Sequence, residues 1–185
     1  MQNEKITILA VSGSLWATSS NTLILKEIQK WVPQQIAFTI YQDMAALPAF
    51  DDSLEAPEPV VAWRRQLAAA DGVFICSPEY AFGIPGALKN AMDWTVGSGE
   101  LVNKPLALVT AATGGDKAHA AWLHIFTALS ANIPDGGSLL IPFVRSKLNQ
   151  QGELSDVATR EALQLVLQAL INAIKQAANP AAADT

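Results

Sequence analysis

Cysteine, histidine and positive charge are scarce in this 185-residue chain. Its one cysteine, Cys76, has no partner for an intramolecular disulfide, so the fold must hold without covalent staples, as suits a reducing, cytoplasmic setting. Two histidines, His119 and His124, lie five apart, a spacing that does not stack them on one helix face, and no cysteine or acid cluster accompanies them. No metal site is expected. Lys and Arg number 12 against 17 Asp and Glu, giving a net charge of -5 and a pI near 4.9. A broad basic surface for duplex nucleic acid or an anionic membrane is thereby excluded. The first apolar run, Ile6 to Val11 behind MQNEK, is too short for a signal-peptide core or a membrane span. Three motifs are also missing. Without G-x-G-x-x-G or a G-K-[ST] ending, neither a Rossmann dinucleotide site nor a nucleoside-triphosphate loop is expected, and without G-x-S-x-G or a Ser-His-acid set, neither is a serine hydrolase.

What the chain has is apolar bulk: 50% of its residues are hydrophobic and only 16% charged. Such a composition suits a sheet buried on both faces. The length fits one domain, expected over residues 1–179, with a frayed tail at 180–185. Apolar β-branched runs predict strands at 6–11, 36–41, 73–76, 106–111 and 138–144. Helical spacing predicts helices between them: from Asn21 to Val32, from Pro59 to Ala70, after Pro85 to about Val96, and from Lys117 to Ala131. A last helix is predicted behind an N-cap at Ser155. Strands alternating with helices make a doubly wound α/β sheet, and the flavodoxin-like order 2-1-3-4-5 would bring the loops after strands one, three and four together at one crevice.

Those three loops carry the candidate chemistry. In the first, VSGSLWATSSNT from Val11 to Thr22, hydroxyls, an amide and close backbone N–H groups gather at the positive end of a helix, which suits an anionic phosphate. In the second, SPEYAFGIPG from Ser77 to Gly86, prolines stiffen the backbone while Glu79 and Tyr80 project from the end of an inner strand. A rigid loop edged by Tyr80 or Phe82 suits a flat heteroaromatic ring. The third, Thr113-Gly114-Gly115, permits close approach of the backbone. Cys76 reads as a small buried hydrophobe, and Asp51, Asp52 and Glu55 as a solvated acidic rim.

Together, GSLWATSSN (13–21), SPEYAFGIPGALKNAMDW (77–94) and the Thr113-Gly114-Gly115 loop resemble the NADPH-dependent FMN reductases, flavodoxin-like quinone, azo and chromate reductases. The resemblance runs to about Gln176. It implies a flavodoxin-like five-stranded parallel sheet with helices on both faces, bound FMN, and NADPH or NADH as electron donor to quinone-like or other soft acceptors. Carried over by position, Ser14, Ser19, Ser20, Asn21 and Thr22 would hold the phosphate, and the Trp16 indole would pack over the ribityl chain or a dimer neighbour. Pro78, Glu79, Tyr80 and Ala81 would line the flavin, opposite Thr113, Gly114 and Gly115. No side chain is implied as a catalytic group, and Tyr80 is the one expected nearest the substrate. A homodimer or dimer-based homotetramer is implied, with the helix Leu88 to Trp94 as a contact surface. Two positions depart from the family pattern: Trp16 replaces the arginine of G-S-L-R, and Ala81 the asparagine after P-E-Y. They motivate a second reading, a flavodoxin-like binding or regulatory module with weak flavin affinity.

Overall fold

The computed structural model describes residues 5–52 and 55–179. Ten principal elements alternate along the chain: β1 (Ile6–Ser12), α1 (Ser20–Trp31), β2 (Ile36–Ile40), α2 (Glu58–Ala69) and β3 (Gly72–Ser77) form the first half. The second half is α3 (Gly86–Asp93), β4 (Leu106–Ala111), α4 (Asp116–Ala128), β5 (Ser138–Ile141) and α5 (Val157–Ala178). The strands make one sheet in the order β2-β1-β3-β4-β5, every pairing parallel. This is the expected flavodoxin-like order. The tail expected to fray, 180–185, lies outside the described residues, as do positions 53 and 54 of the 42–58 loop.

Helices cover both faces because the central strands have no polar face to offer water. Every residue of β3 and β4 is buried. On one side Ile24, Leu25 and Ile28 of α1 pack with Leu163, Leu167 and Leu170 of α5 over Ile8, Phe74 and Val109. On the other, Trp63 and Leu67 of α2, Leu88 and Met92 of α3, and Trp122 and Phe126 of α4 cover Leu9, Ile75 and Leu108. Burial of side chains this large is worth roughly 1.5–3 kcal/mol each, so the two apolar layers dominate the stability.

Several local expectations are corrected or refined. Within the stretch Leu88 to Trp94, Leu88, Met92 and Trp94 are buried in the protein's own core, and Lys89, Asn90 and Asp93 are left partly exposed. The polar residues of the same motif tie down a neighbouring loop: Asn90 Nδ2 and Trp94 Nε1 donate to the Pro48 carbonyl at 2.8 and 3.0 Å, and Asn90 Oδ1 accepts from Phe50 N–H at 2.7 Å. The N-cap of α5 is Asp156 rather than Ser155, its carboxylate accepting from Thr159 N at 2.9 Å. A hydrogen bond from the Thr159 hydroxyl, followed by the one from Thr159 N and by Lys147 beside them, holds the Asp156 pKa below the usual carboxylate value. Ser155 Oγ turns back to the Lys147 carbonyl instead. Strand β5 stops at Ile141 because Pro142 has no N–H for the ladder, and Val144–Lys147 form a 3-10 turn.

Candidate functional site

The first loop leaves β1 at a point where no side chain fits. Gly13 N donates to the Cys76 carbonyl at 2.8 Å, and a Cβ at Gly13 would lie 2.8 Å from Ser77 Oγ and 2.9 Å from Pro78 Cδ. The first and second loops are therefore pressed together through a glycine. Beyond it, Ser19 caps α1 by accepting from Thr22 N at 3.2 Å. The Thr22 hydroxyl lies 2.9 Å from both Ser12 Oγ and Ser19 Oγ. The Asn21 side chain donates to the Ala111 carbonyl at 3.1 Å and accepts from the buried Cys76 thiol at 3.2 Å. These polar side chains shape the loop. Among the described residues no acceptor faces the Ser20 and Asn21 backbone N–H groups, so they remain the donors of the α1 N-terminus.

The second loop closes as a tight hairpin. Tyr80 and Gly83 exchange backbone hydrogen bonds at 2.9 Å across Ala81 and Phe82, which have φ of 49° and 58°. Two left-handed residues in a two-residue loop make a type I′ turn. Tyr80 O–H donates to Ser14 Oγ at 3.3 Å, joining this hairpin to the first loop. Glu79 reaches the third loop: its carboxylate accepts from the backbone N–H groups of Gly115, Lys117 and Ala118. Gly115, the N-cap residue of α4, has φ of 106° and offers no capping side chain. A Cβ there would stand 2.8 Å from Leu140 Cδ1.

The loops enclose a cleft of about 610 Å3 at the C-terminal edge of the sheet. Ser14, Trp16, Ser19, Ser20 and Asn21 line one side, with Pro78, Glu79 and Tyr80 on another and Thr113 on a third. Of the other expected residues, Thr22 borders an adjoining pocket with Ser12 and Lys26, while Ala81, Gly114 and Gly115 are not part of the lining. The cleft also includes Thr18 of the first loop and Ala112 beside the third, together with residues that the sequence does not announce: Ala111, Val144 and Arg145. Arg145 comes from the turn after β5, held against the third loop by Val144 N to Ala112 O at 3.0 Å and Phe143 N to Thr113 O at 3.1 Å. Only tertiary structure reveals that proximity.

Chemically, the arrangement binds rather than attacks. Burial pushes the Cys76 thiol pKa up, away from the reactive thiolate. His119 bonds Thr110 Oγ1 at 2.9 Å, and its burial lowers its pKa. Among the described residues no group of three or more His, Cys, Asp or Glu is placed to hold a metal ion. What the cleft offers is helix N–H donors and hydroxyls at one end and a rigid, aromatic-edged loop at the other. Its volume falls within the range of small-molecule sites, about 300–1,000 Å3.

Comparison with known proteins agrees with this picture. A family model described as NADPH-dependent FMN reductase matches residues 6–145. An NAD(P)H-dependent FMN reductase of Pseudomonas aeruginosa is 30% identical over 176 residues, covering 91% of this chain and 95% of that protein. A quinone reductase of Escherichia coli is 28% identical over 171 residues, covering 87% and 91% respectively. Among solved structures, the flavoenzyme FerB of Paracoccus denitrificans, an NAD(P)H:(acceptor) oxidoreductase, superposes with a TM-score of 0.72 at 23% identity, covering 92% of this chain and 98% of its own. That likeness concerns the fold.

Proposed function

Since the chain belongs to the NADPH-dependent FMN reductase family, we propose that it is an FMN-dependent NAD(P)H oxidoreductase whose electron acceptors are quinones or similarly soft small molecules. The observation that carries this reading is the convergence of three loops on one cleft, with free helix N–H groups at one end and a stiff Pro78–Tyr80 edge at the other. The similar proteins named as FMN and quinone reductases favour an enzyme over the flavin-poor binding module.

The donor set fits the cofactor. The Ser20 and Asn21 N–H groups, with the hydroxyls of Ser14 and Ser20, would hold the phosphate where the α1 dipole is positive. The roles of Ser19, Asn21 and Thr22 side chains are to keep those groups aimed, because their own polar atoms are engaged within the protein. Pro78, Tyr80 and the backbone of Glu79 would border the ring, with Thr113 opposite. Bound FMN would supply two-electron chemistry between a nicotinamide and a quinone-like acceptor, which with two protons taken up becomes the hydroquinone. No side chain acts as nucleophile or base in this scheme. The chain's work is to fix the ring's position, leave one face open, and place Tyr80 beside the incoming substrate.

The same reading extends to organisation. Residues 1–179 act as one FMN-binding domain, in the cytoplasm, as a homodimer or dimer-based tetramer. Its support is the buried, free Cys76 and the exposed Leu15, Trp16 and Phe82 of the first and second loops, apolar groups that a second copy would cover. Among the described residues no helix is long and apolar enough to cross a membrane.

The deciding experiment is flavin analysis of purified protein followed by NADPH and NADH oxidation with and without benzoquinone. Bound or readily rebound FMN and quinone-stimulated oxidation are expected. Protein that neither retains FMN nor binds it at micromolar concentration removes the oxidoreductase reading.

A further inference from the structure

The segment Val11 to Thr22 contains no lysine or arginine, so a phosphate at the α1 N-terminus would receive no cation from its own loop. Helix N–H groups supply only partial positive charge, whereas a phosphate monoester carries nearly two negative charges at neutral pH. Two ionisable side chains other than tyrosine line the cleft, Glu79 and Arg145. Both Glu79 carboxylate oxygens already accept hydrogen bonds from the start of α4. Arg145 is exposed, and among the described residues its guanidinium makes no ion pair or hydrogen bond. Its backbone is built into the site from below: Asn21 Nδ2 bonds Ala111 O, and the next carbonyl, Ala112 O, accepts Val144 N–H. The α1 N-terminus and the Arg145 turn are thus fastened to adjacent residues at the end of β4. Lys26, on α1, borders the adjoining pocket with Tyr41 and Gln42, its ammonium directed to the Ala17 carbonyl at 3.4 Å.

We propose that Arg145 is a phosphate-binding residue of this chain, reaching from the turn after β5 to the anionic end of the flavin and selecting FMN over the phosphate-free riboflavin. The inference rests on the FMN reading of the cleft. A guanidinium presents paired N–H donors that match phosphate oxygens, and its charge stays constant across working pH. Its arrival from a distant segment also couples cofactor binding to the order of the β5 turn.

The test is titration of the apo protein with FMN and, separately, with riboflavin, followed by flavin fluorescence. Arg145→Ala is expected to weaken FMN about 10- to 100-fold. Riboflavin affinity should be unchanged, and the salt dependence of FMN binding should flatten. Arg145→Lys should recover part of the loss, and Lys26→Ala should leave both affinities alone. The proposal is overturned if Arg145→Ala binds FMN as the parent does, if riboflavin weakens to the same degree, or if Lys26→Ala reproduces the loss. Failure of the underlying reading looks different, because the parent protein itself would then bind neither flavin.

Discussion

The Glu79 carboxylate supplies the cap that Gly115 cannot. Its Oε1 accepts the Gly115 N–H at 3.2 Å, while Oε2 takes Lys117 N–H at 3.1 Å and Ala118 N–H at 3.0 Å. Glycine is required at 115 by its left-handed φ and by the nearby Leu140 side chain, so the helix start has to be satisfied from another loop.

Glu79→Ala should therefore destabilise the fold by about 1–2 kcal/mol, the range for losing a helix cap. Glu79→Gln, which retains one acceptor oxygen, should lose less. Chemical denaturation of both variants measures the difference, and an unchanged midpoint for Glu79→Ala would contradict the capping role.

Ala81 and Phe82 occupy the two positions of a type I′ turn, where asparagine and glycine are the residues best suited to positive φ. Left-handed φ costs an ordinary L-residue about 1–2 kcal/mol, and a turn whose tip is 82% exposed Phe82 gains little packing in return. Ala81→Asn and Phe82→Gly should each raise stability, by about 0.5–1 kcal/mol. Thermal unfolding checks this directly. If Phe82 also meets acceptor or a second copy of the chain, Phe82→Gly should raise the melting temperature while lowering turnover or dimer mass.

The sheet was readable because its signals are redundant: continuous apolar runs at Val73 to Cys76 and Leu106 to Ala111, too short for helices and set between helical patterns, fit inner strands. The three loops were readable from glycine and hydroxyl content. Where two neighbours have equal local merit, as Ser155 and Asp156 do as caps, sequence cannot choose, and the tie was broken by the Lys147 carbonyl claiming Ser155. Periodicity at Leu88 to Trp94 marked an apolar face without saying what covers it. Arg145 carried no local signal at all, since its place in the cleft depends on the parallel β4–β5 pairing and the hydrogen bonds beyond it.

Asn21 joins two loops through its side chain, accepting from Cys76 and donating to Ala111 O. Asn21→Ala leaves a buried carbonyl and thiol without that partner and should cost about 1–3 kcal/mol. In the parent protein Cys76 is fully buried, and its thiol pKa is raised by that burial. Native protein at pH 8 should therefore react with a thiol-specific disulfide reagent only as fast as it opens. Full reactivity should appear in denaturant, and Asn21→Ala should react faster than the parent under native conditions. Immediate native reaction would refute the burial argument.

His119 gives the stability a defined pH dependence. Its burial lowers the folded-state pKa below the ordinary value of 6.5, while Thr110 Oγ1 bonds its ring at 2.9 Å. Between 6.5 and the lower folded value, the unfolded chain binds a proton that the folded chain declines. Stability therefore rises with pH across that window and is lost as pH falls through it. Above the unfolded pKa the histidine is neutral in both states and contributes no slope. His119→Gln removes the titration, so its unfolding free energy should fall less steeply than the parent's on acidification from pH 7 to 5. Asp156, whose folded pKa is depressed by Thr159 and Lys147, acts at lower pH, where protonation abolishes its cap. Comparing the parent with His119→Gln and Asp156→Asn across pH 3 to 7 separates the two, because each variant should flatten only its own part of the curve.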